Sequence, residues 1–221
     1  MSKKLIILGV GGNCIDILDT AICINAREGR EVYRCVGFLD DNKETWGKEI
    51  SGIKVLGALN SATGYADCFF VNGIGSSINF PGKADIISKT RIPLDRFETL
   101  VHPSAVVSKM ACLGSGTIIL QNVTVASDVI IGNHVIILPN SIVSHGCLIN
   151  DYVCIAGGAC ISGGVKIDQS SYIGTNSTLI GNITIAQHCL VGMGSVVIKS
   201  VAENSVVVGN PAKFLRNTIE K

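Results

Sequence analysis

From Val101 to Val197 an aliphatic residue stands at every sixth position, through Val107, Leu113, Ile119, Val125 and so on to Leu179, Ile185 and Val191, with no polar or aromatic interruption. A second row lies two places earlier and runs from Thr117 and Val123 through Ser141, Cys147 and Ala159 to Cys189 and Ser195; it holds only small or β-branched residues. The helical period of about 3.6 does not produce a strict six, and neither does the strand period of 2; short strands separated by regular turns do, as in a solenoid. The six-step row is therefore predicted to point inward. Three hexads form one triangular coil, so about five coils stack, each burying aliphatic side chains worth roughly 1.5 to 3 kcal/mol apiece. An antiparallel sandwich would vary its strand lengths and place turn signals every 8 to 12 residues, whereas this register does not slip. Glu203 ends the pattern.

The first hundred residues follow a different rhythm. Lys4 to Gly9 reads as a strand, Gly9-Val10-Gly11-Gly12-Asn13 as a glycine turn, and Ile15 to Arg27 as a helix with Ile15, Leu18, Ile22 and Ala26 at helical spacing. A second strand, Cys35 to Leu39, ends in Asp40-Asp41-Asn42. A short strand over Lys54 to Leu56 and a buried one over Cys68 to Val71 come next, and the latter runs into Asn72-Gly73-Ile74-Gly75-Ser76. Pro81 to Thr90 reads as a helix with Ile86 and Ile87 inward. The sum is a small three-layer α/β domain over residues 1–98, with the solenoid and a tail over 99–221. It has too few strands for a complete dinucleotide domain. The fingerprint GxGxxG is also unmet, because Cys14 follows Asn13 where the third glycine belongs, and this disfavours a redox cofactor.

Composition narrows the partners. A net charge of +1 with acids and bases interspersed offers no basic face for nucleic acid and no polybasic run for an anionic membrane, which leaves small molecules. Twenty-five glycines and few aromatics suit a thin solenoid with many corners. Nine cysteines, with no CxxC pair and several on the inward rows, read as reduced core residues and not as a zinc site. The opening MSKKLIILGV is too brief an apolar run for a signal sequence, and the chain contains no transmembrane stretch. The expected compartment is the cytosol.

Binding chemistry is expected at both glycine turns. Gly9, Gly11, Gly12 and Asn13 lead into a helix start, where free N–H groups and the positive end of the dipole receive a phosphate. Asp40 and Asp41, with Asn72, Gly73 and Gly75, stand at carboxyl ends of strands, where open α/β sheets bind ligands. A plain tight turn or a capped, solvated loop is the bland alternative for each.

A glycine-turn α/β domain, the phrase Thr99-Leu100-Val101-His102-Pro103-Ser104-Ala105, hexapeptide repeats and finally Gly209-Asn210-Pro211-Ala212-Lys213 together resemble the hexapeptide-repeat acyltransferases. The likeness is to the branch that N-acetylates nucleotide-linked amino sugars or O-acetylates sialic acid, and it covers essentially the whole chain. It implies a left-handed parallel β-helix, a homotrimer with active sites between subunits, a nucleotide sugar held by the N-terminal domain, and acetyl-CoA in a groove between neighbouring helices. No metal is implied.

Acetyl transfer from a thioester to an amine needs a base, oxyanion donors and a bound coenzyme. Of the four histidines, His102 precedes a proline in the junction phrase, and His134 and His188 are expected at exposed corners. His145, in Val143-Ser144-His145-Gly146, matches the position of the family's catalytic base. Ser144 is a weak candidate for orienting it; the acid many relatives carry next to that histidine is here Gly146, and Asp151 is the nearest acid along the chain. Cys154 replaces a family histidine near the thioester. Gly163, with Gly164, matches the oxyanion position, although a glycine needed only for the corner reads nearly as well. Pro211 and Lys213, with Arg216, fall in the segment that borders the coenzyme in relatives.

The leading reading is direct attack of an amino sugar on acetyl-CoA with His145 as general base. O-acetylation of a sugar or sialic acid is the nearest alternative. A non-catalytic nucleotide-sugar-binding trimer, and a zinc site built from His134, His145 and His188 across subunits, stand for other classes.

Overall fold

The computed structural model describes residues 2–218. Strand β1 (Lys3–Leu8), helix α1 (Gly12–Glu28), β2 (Tyr33–Leu39), β3 (Glu49–Ile50), β4 (Ile53–Gly57), β5 (Cys68–Asn72) and the short helix α2 (Lys83–Ser88) build the first part of the chain. The sheet order is β3-β4-β2-β1-β5, parallel apart from the β3–β4 hairpin. Strand alternation divides the sheet's two faces. Leu5 and Ile7 pack with Ile17, Leu18 and Ala21 of α1, whereas Ile6 and Leu8 pack with Leu59, Phe70 and Ile87 on the other side. Helix α1 starts at Gly12, earlier than its apolar spacing indicates, because the glycine turn itself supplies the first helical residue. Helix α2 is shorter than the Pro81–Thr90 reading: Phe80–Gly82 forms a 3₁₀ turn, and α-helical bonding begins only at Lys83, past Pro81-Gly82.

From Leu100 onward two-residue strands recur every six residues, and each pairs in parallel with the strand eighteen residues on, as Thr124 does with Ile142 and Ile142 with Cys160. Three flat faces result. The first carries Val106–Val107, Thr124–Val125 and Ile142–Val143; the second Cys112–Leu113, Ile130–Ile131 and Leu148–Ile149; the third Leu100–Val101, Ile118–Ile119, Ile136–Ile137 and Cys154–Ile155. The six-step row is inward and buried from Ile119 to Val197; its first three members are half-buried at the open end. The row two places earlier is buried throughout. Corners turn through a left-handed residue every six positions, taken by Asn122, Asp128, His134, Asn140, Gly146, Tyr152, Gly158 and Gly164 in succession. Asn and Asp tolerate that conformation better than other side chains, and glycine adopts it without strain.

The third face is covered. Leu100, Ile118 and Ile136 join the core of the α/β sheet with Leu5, Ile7 and Cys14, so the two parts share one continuous apolar layer. The same sheet ends in an antiparallel hairpin of Ser205–Gly209 and Ala212–Asn217.

Candidate active site

The residues expected to hold a nucleotide line one cleft of about 610 Å³. Gly9, Gly11, Gly12 and Asn13 form one wall, Asp40 and Asp41 a second, and Gly73 and Gly75 a third, joined by Leu59, Ser76, Asn79, Ile86 and Lys89, none of which was among the residues expected to hold the nucleotide. Helix α1 opens on this cleft without a side-chain cap, so its first N–H groups face the space as an anion site. Nothing lies within 4 Å of a Cβ built on Gly11 or Gly12, which marks open space above the turn. One oxygen of each carboxylate is already committed: Asp40 Oδ1 accepts the Asn42 N–H at 2.7 Å and Asp41 Oδ1 that of Leu59 at 3.0 Å. The other oxygens remain for a ligand. Asn72 departs from the expectation. It is fully buried, and its side chain accepts from Ile74 N–H and donates to the Ile74 carbonyl, so it shapes the loop and does not line the cleft.

His145 stands at the corner between the first and second faces, exposed, with its ring laid over Gly163 one coil above. A Cβ on Gly163 would stand 2.6 Å from the ring's Cε1 and 2.7 Å from Nε2. Gly163 has an ordinary backbone angle, whereas Gly164 has φ +69°; the corner requires a glycine-like residue at 164, and the histidine ring requires one at 163. Among the described residues no acceptor takes the Gly163 N–H, and neither Ser144 Oγ nor a ring nitrogen of His145 has a hydrogen-bond partner. Asp151 does not serve His145. It stands at the next corner, where its Oδ1 accepts the Asn133 N–H at 2.7 Å.

The column continues upward. Gly181 lies directly on Gly163, since a Cβ there would meet the Gly163 carbonyl at 3.0 Å, and Lys199 follows, exposed. Ile180 and Ile198, half exposed, flank this side-chain-free track. Eighteen-residue steps from His145 give Gly163, Gly181 and Lys199, a signal present in the sequence that six-residue counting passed over.

Several expected site residues stand elsewhere. Cys154, read as near the thioester, points from the covered third face and is buried under the α/β domain, with Lys83 Nζ 3.4 Å from its Sγ. Pro211 and Lys213 are exposed on the terminal hairpin, which extends the third face, away from the His145 corner within one chain. His134 and His188 share the corner between the second and third faces, so neither joins His145 in one chain. His102 gathers with Asp19 and Cys23, with potential ligand atoms within 4.8 Å of one another. The Ser104 N–H donates to its Nδ1 at 3.0 Å, which puts the ring proton on Nε2 and disfavours a metal there. All nine cysteines are free thiols; burial pushes Cys14 up to about 12 and raises Cys147 and Cys189, as expected of inert core residues.

Fold and corner geometry together define a class: a hexapeptide-repeat β-helix of the acyltransferase type, capped on one face by a small α/β domain. Residues 4–78 match the family model of the PglD N-terminal domain. The acetyltransferase domain of PglB from Neisseria gonorrhoeae FA1090 is 26% identical over 97% of this chain and 100% of its own, with a TM-score of 0.84, and a structure of that domain with acetyl coenzyme A gives 0.85. WeeI from Acinetobacter baumannii AYE is 25% identical over 97% of this chain and 100% of its own, with a TM-score of 0.80. Perosamine N-acetyltransferase from Caulobacter crescentus, solved as a mutant with CoA and GDP-perosamine, shares the fold at 22% identity, covering 97% of each chain with a TM-score of 0.84. A comparison with curated proteins by sequence gives no match. The architecture matches that of the gonococcal acetyltransferase domain: a Rossmann-like α/β domain followed by a left-handed parallel β-helix. Among the described residues no helix is long and apolar enough to cross a membrane.

Proposed function

We propose that this chain is an acetyl-CoA-dependent N-acetyltransferase acting on a nucleotide-linked 4-amino sugar in cell-surface glycan synthesis. The observation that carries the reading is the His145–Gly163 stack at the foot of a side-chain-free track. The pantetheine arm lies along Gly163 and Gly181 between the two exposed isoleucines, with Lys199 near its phosphates. The thioester carbonyl then meets the free Gly163 N–H, a donor for the oxyanion, while His145 takes the proton shed by the attacking amine. Attack is direct: Cys147, two residues from His145, is buried with its thiol donating to the Ser162 carbonyl at 3.2 Å, and Cys154 lies under the α/β domain, so neither offers itself to His145 as an acyl-enzyme nucleophile. The acetyl-CoA complex of the gonococcal domain and the GDP-perosamine complex of the Caulobacter enzyme support this pairing of ligands.

The reading includes a homotrimer, and the triangular coil supports it. His145 occupies the corner opposite the covered third face, so the nucleotide cleft and the base of one chain lie on opposite sides of the coil. The two uncovered faces expose Val106, Ile130 and Ile142, aliphatic surface suited to a three-fold ring. A neighbouring subunit then brings its cleft, with Pro211 and Lys213 of its hairpin, to this base. Cytoplasmic location follows from the metabolites used.

Thiol release from acetyl-CoA, with UDP-, GDP- and dTDP-linked 4-amino sugars as acceptors, tests the reading beside His145→Ala. The variant is expected to lose about 10²- to 10⁴-fold in kcat. Turnover only with hydroxyl acceptors would favour the O-acetyltransferase alternative; coenzyme binding without any turnover would favour a non-catalytic binder.

A further inference from the structure

The side chain of Lys83, at the first turn of α2, is completely buried. Its Nζ donates to the His134 carbonyl at 2.6 Å and to Cys154 Sγ at 3.4 Å. An ammonium has three donors, and among the described residues the third has no acceptor and no carboxylate pairs with the charge. A buried cation left without an anion is costly, and desolvation accordingly holds the Lys83 pKa below the usual lysine range.

The anion has a place to stand. Nζ lies 3.6 Å from where a Cβ on Gly75 would be, and Gly75 is a wall of the nucleotide cleft. A side chain at 75 would also strike Cys154 Sγ at 2.6 Å, so the wall is one backbone thick there. The Gly75 carbonyl accepts from Asn13 Nδ2 at 3.3 Å, which ties this wall to the uncapped start of α1. Helix start and buried ammonium thus converge on one end of the cleft, while Asp40 and Asp41 occupy another wall.

We propose that Lys83 is the buried countercharge for the diphosphate of the nucleotide sugar, acting through the Gly75 wall as a positioning residue that fixes the substrate's charged end at α1. This rests on the nucleotide-sugar reading of the cleft. The exposed Lys89 at the rim is reached by water and salt, whereas Lys83 is shielded from both and acts at low effective dielectric.

The test is binding of UDP, GDP and dTDP, and of the uncharged nucleosides uridine, guanosine and thymidine, to the wild-type protein and Lys83→Met. Loss of the charge is expected to weaken the preferred diphosphate roughly 10- to 100-fold while leaving its nucleoside within about twofold. Equal losses for diphosphate and nucleoside would mean that Lys83 only holds the wall in shape, and no loss would mean that it contributes nothing; either overturns the proposal. Lys83→Gln, which keeps an N–H donor for the His134 carbonyl, serves the same comparison if the methionine variant does not fold. Wild-type protein that binds none of the three diphosphates would overturn the nucleotide-sugar reading itself, a result distinct from a selective or unselective effect of the variant.

Discussion

At the scale of single residues, Gly163 separates a structural glycine from a chemical one. Its backbone is ordinary, so alanine is accepted without strain, and although the position is half-buried, the three atoms nearest the added methyl, at 2.6–3.2 Å, all belong to the exposed His145 ring. Gly163→Ala is therefore expected to leave the thermal midpoint within about 2 °C of wild type, because the methyl displaces an exposed side chain that is free to swing into solvent, at a cost of about 0.5 kcal/mol or less. The displaced base should lower kcat by about 100-fold. A variant with unchanged kcat would remove the ring-over-glycine arrangement from the mechanism. The resemblance points to Gly163 as the oxyanion position, but the sequence leaves open whether that glycine serves the chemistry or only the corner. The eighteen-residue step from His145 to Gly163 was legible; which of the two glycines has the left-handed angle was not, because corner phase depends on the strand ends.

At the scale of elements, the corner between the second and third faces has its own pH signature. His134 turns that corner at φ 55°, with its ring edge-on to Phe97 at 4.5 Å and stacked on Tyr152 at 5.4 Å. Burial, then the Lys83 charge, push its pKa down to about 4. The unfolded chain takes up this proton near pH 6.5 and the folded chain only near 4. Stability from this group is thus complete above about pH 6.5 and is lost as pH falls toward 4, by on the order of 3 kcal/mol in all. His134→Asn keeps a residue that tolerates the left-handed corner and removes the titration. Denaturant midpoints between pH 7 and 4.5 should fall less steeply for the variant; parallel curves would show that other groups govern acid sensitivity. The sequence pattern places His134 at an exposed corner, and the structure buries it. The burial arises because Phe97 and α2 of the first domain close over the corner, a tertiary contact that a six-residue pattern does not encode.

For the whole molecule, the decisive fact is which face the first domain covers. Outward positions of the third face read Leu100, Ile118, Ile136, Cys154, whereas the second face carries Cys112, Ile130, Leu148, Lys166. The covered face was therefore partly legible at eighteen-residue spacing, and with it the reason Cys154 is buried beside Lys83 and not at the thioester. Covering the third face puts His145 at the opposite corner; in the proposed trimer, a sugar held in one chain's cleft would therefore meet the base of a neighbouring chain. Complementation tests this arrangement. His145→Ala lacks the base and keeps its cleft; Asp40→Ala with Asp41→Ala damages the cleft and keeps the base. Each is expected to be inactive alone. When the two are unfolded, mixed in equal amounts and refolded together, random assembly pairs an intact cleft with an intact His145 at about a quarter of the inter-subunit sites. Acetyl transfer should return to about that fraction of wild type. If base and cleft instead acted within one chain, no chain of a mixed trimer would carry both intact, and the mixture would stay as inactive as its parts.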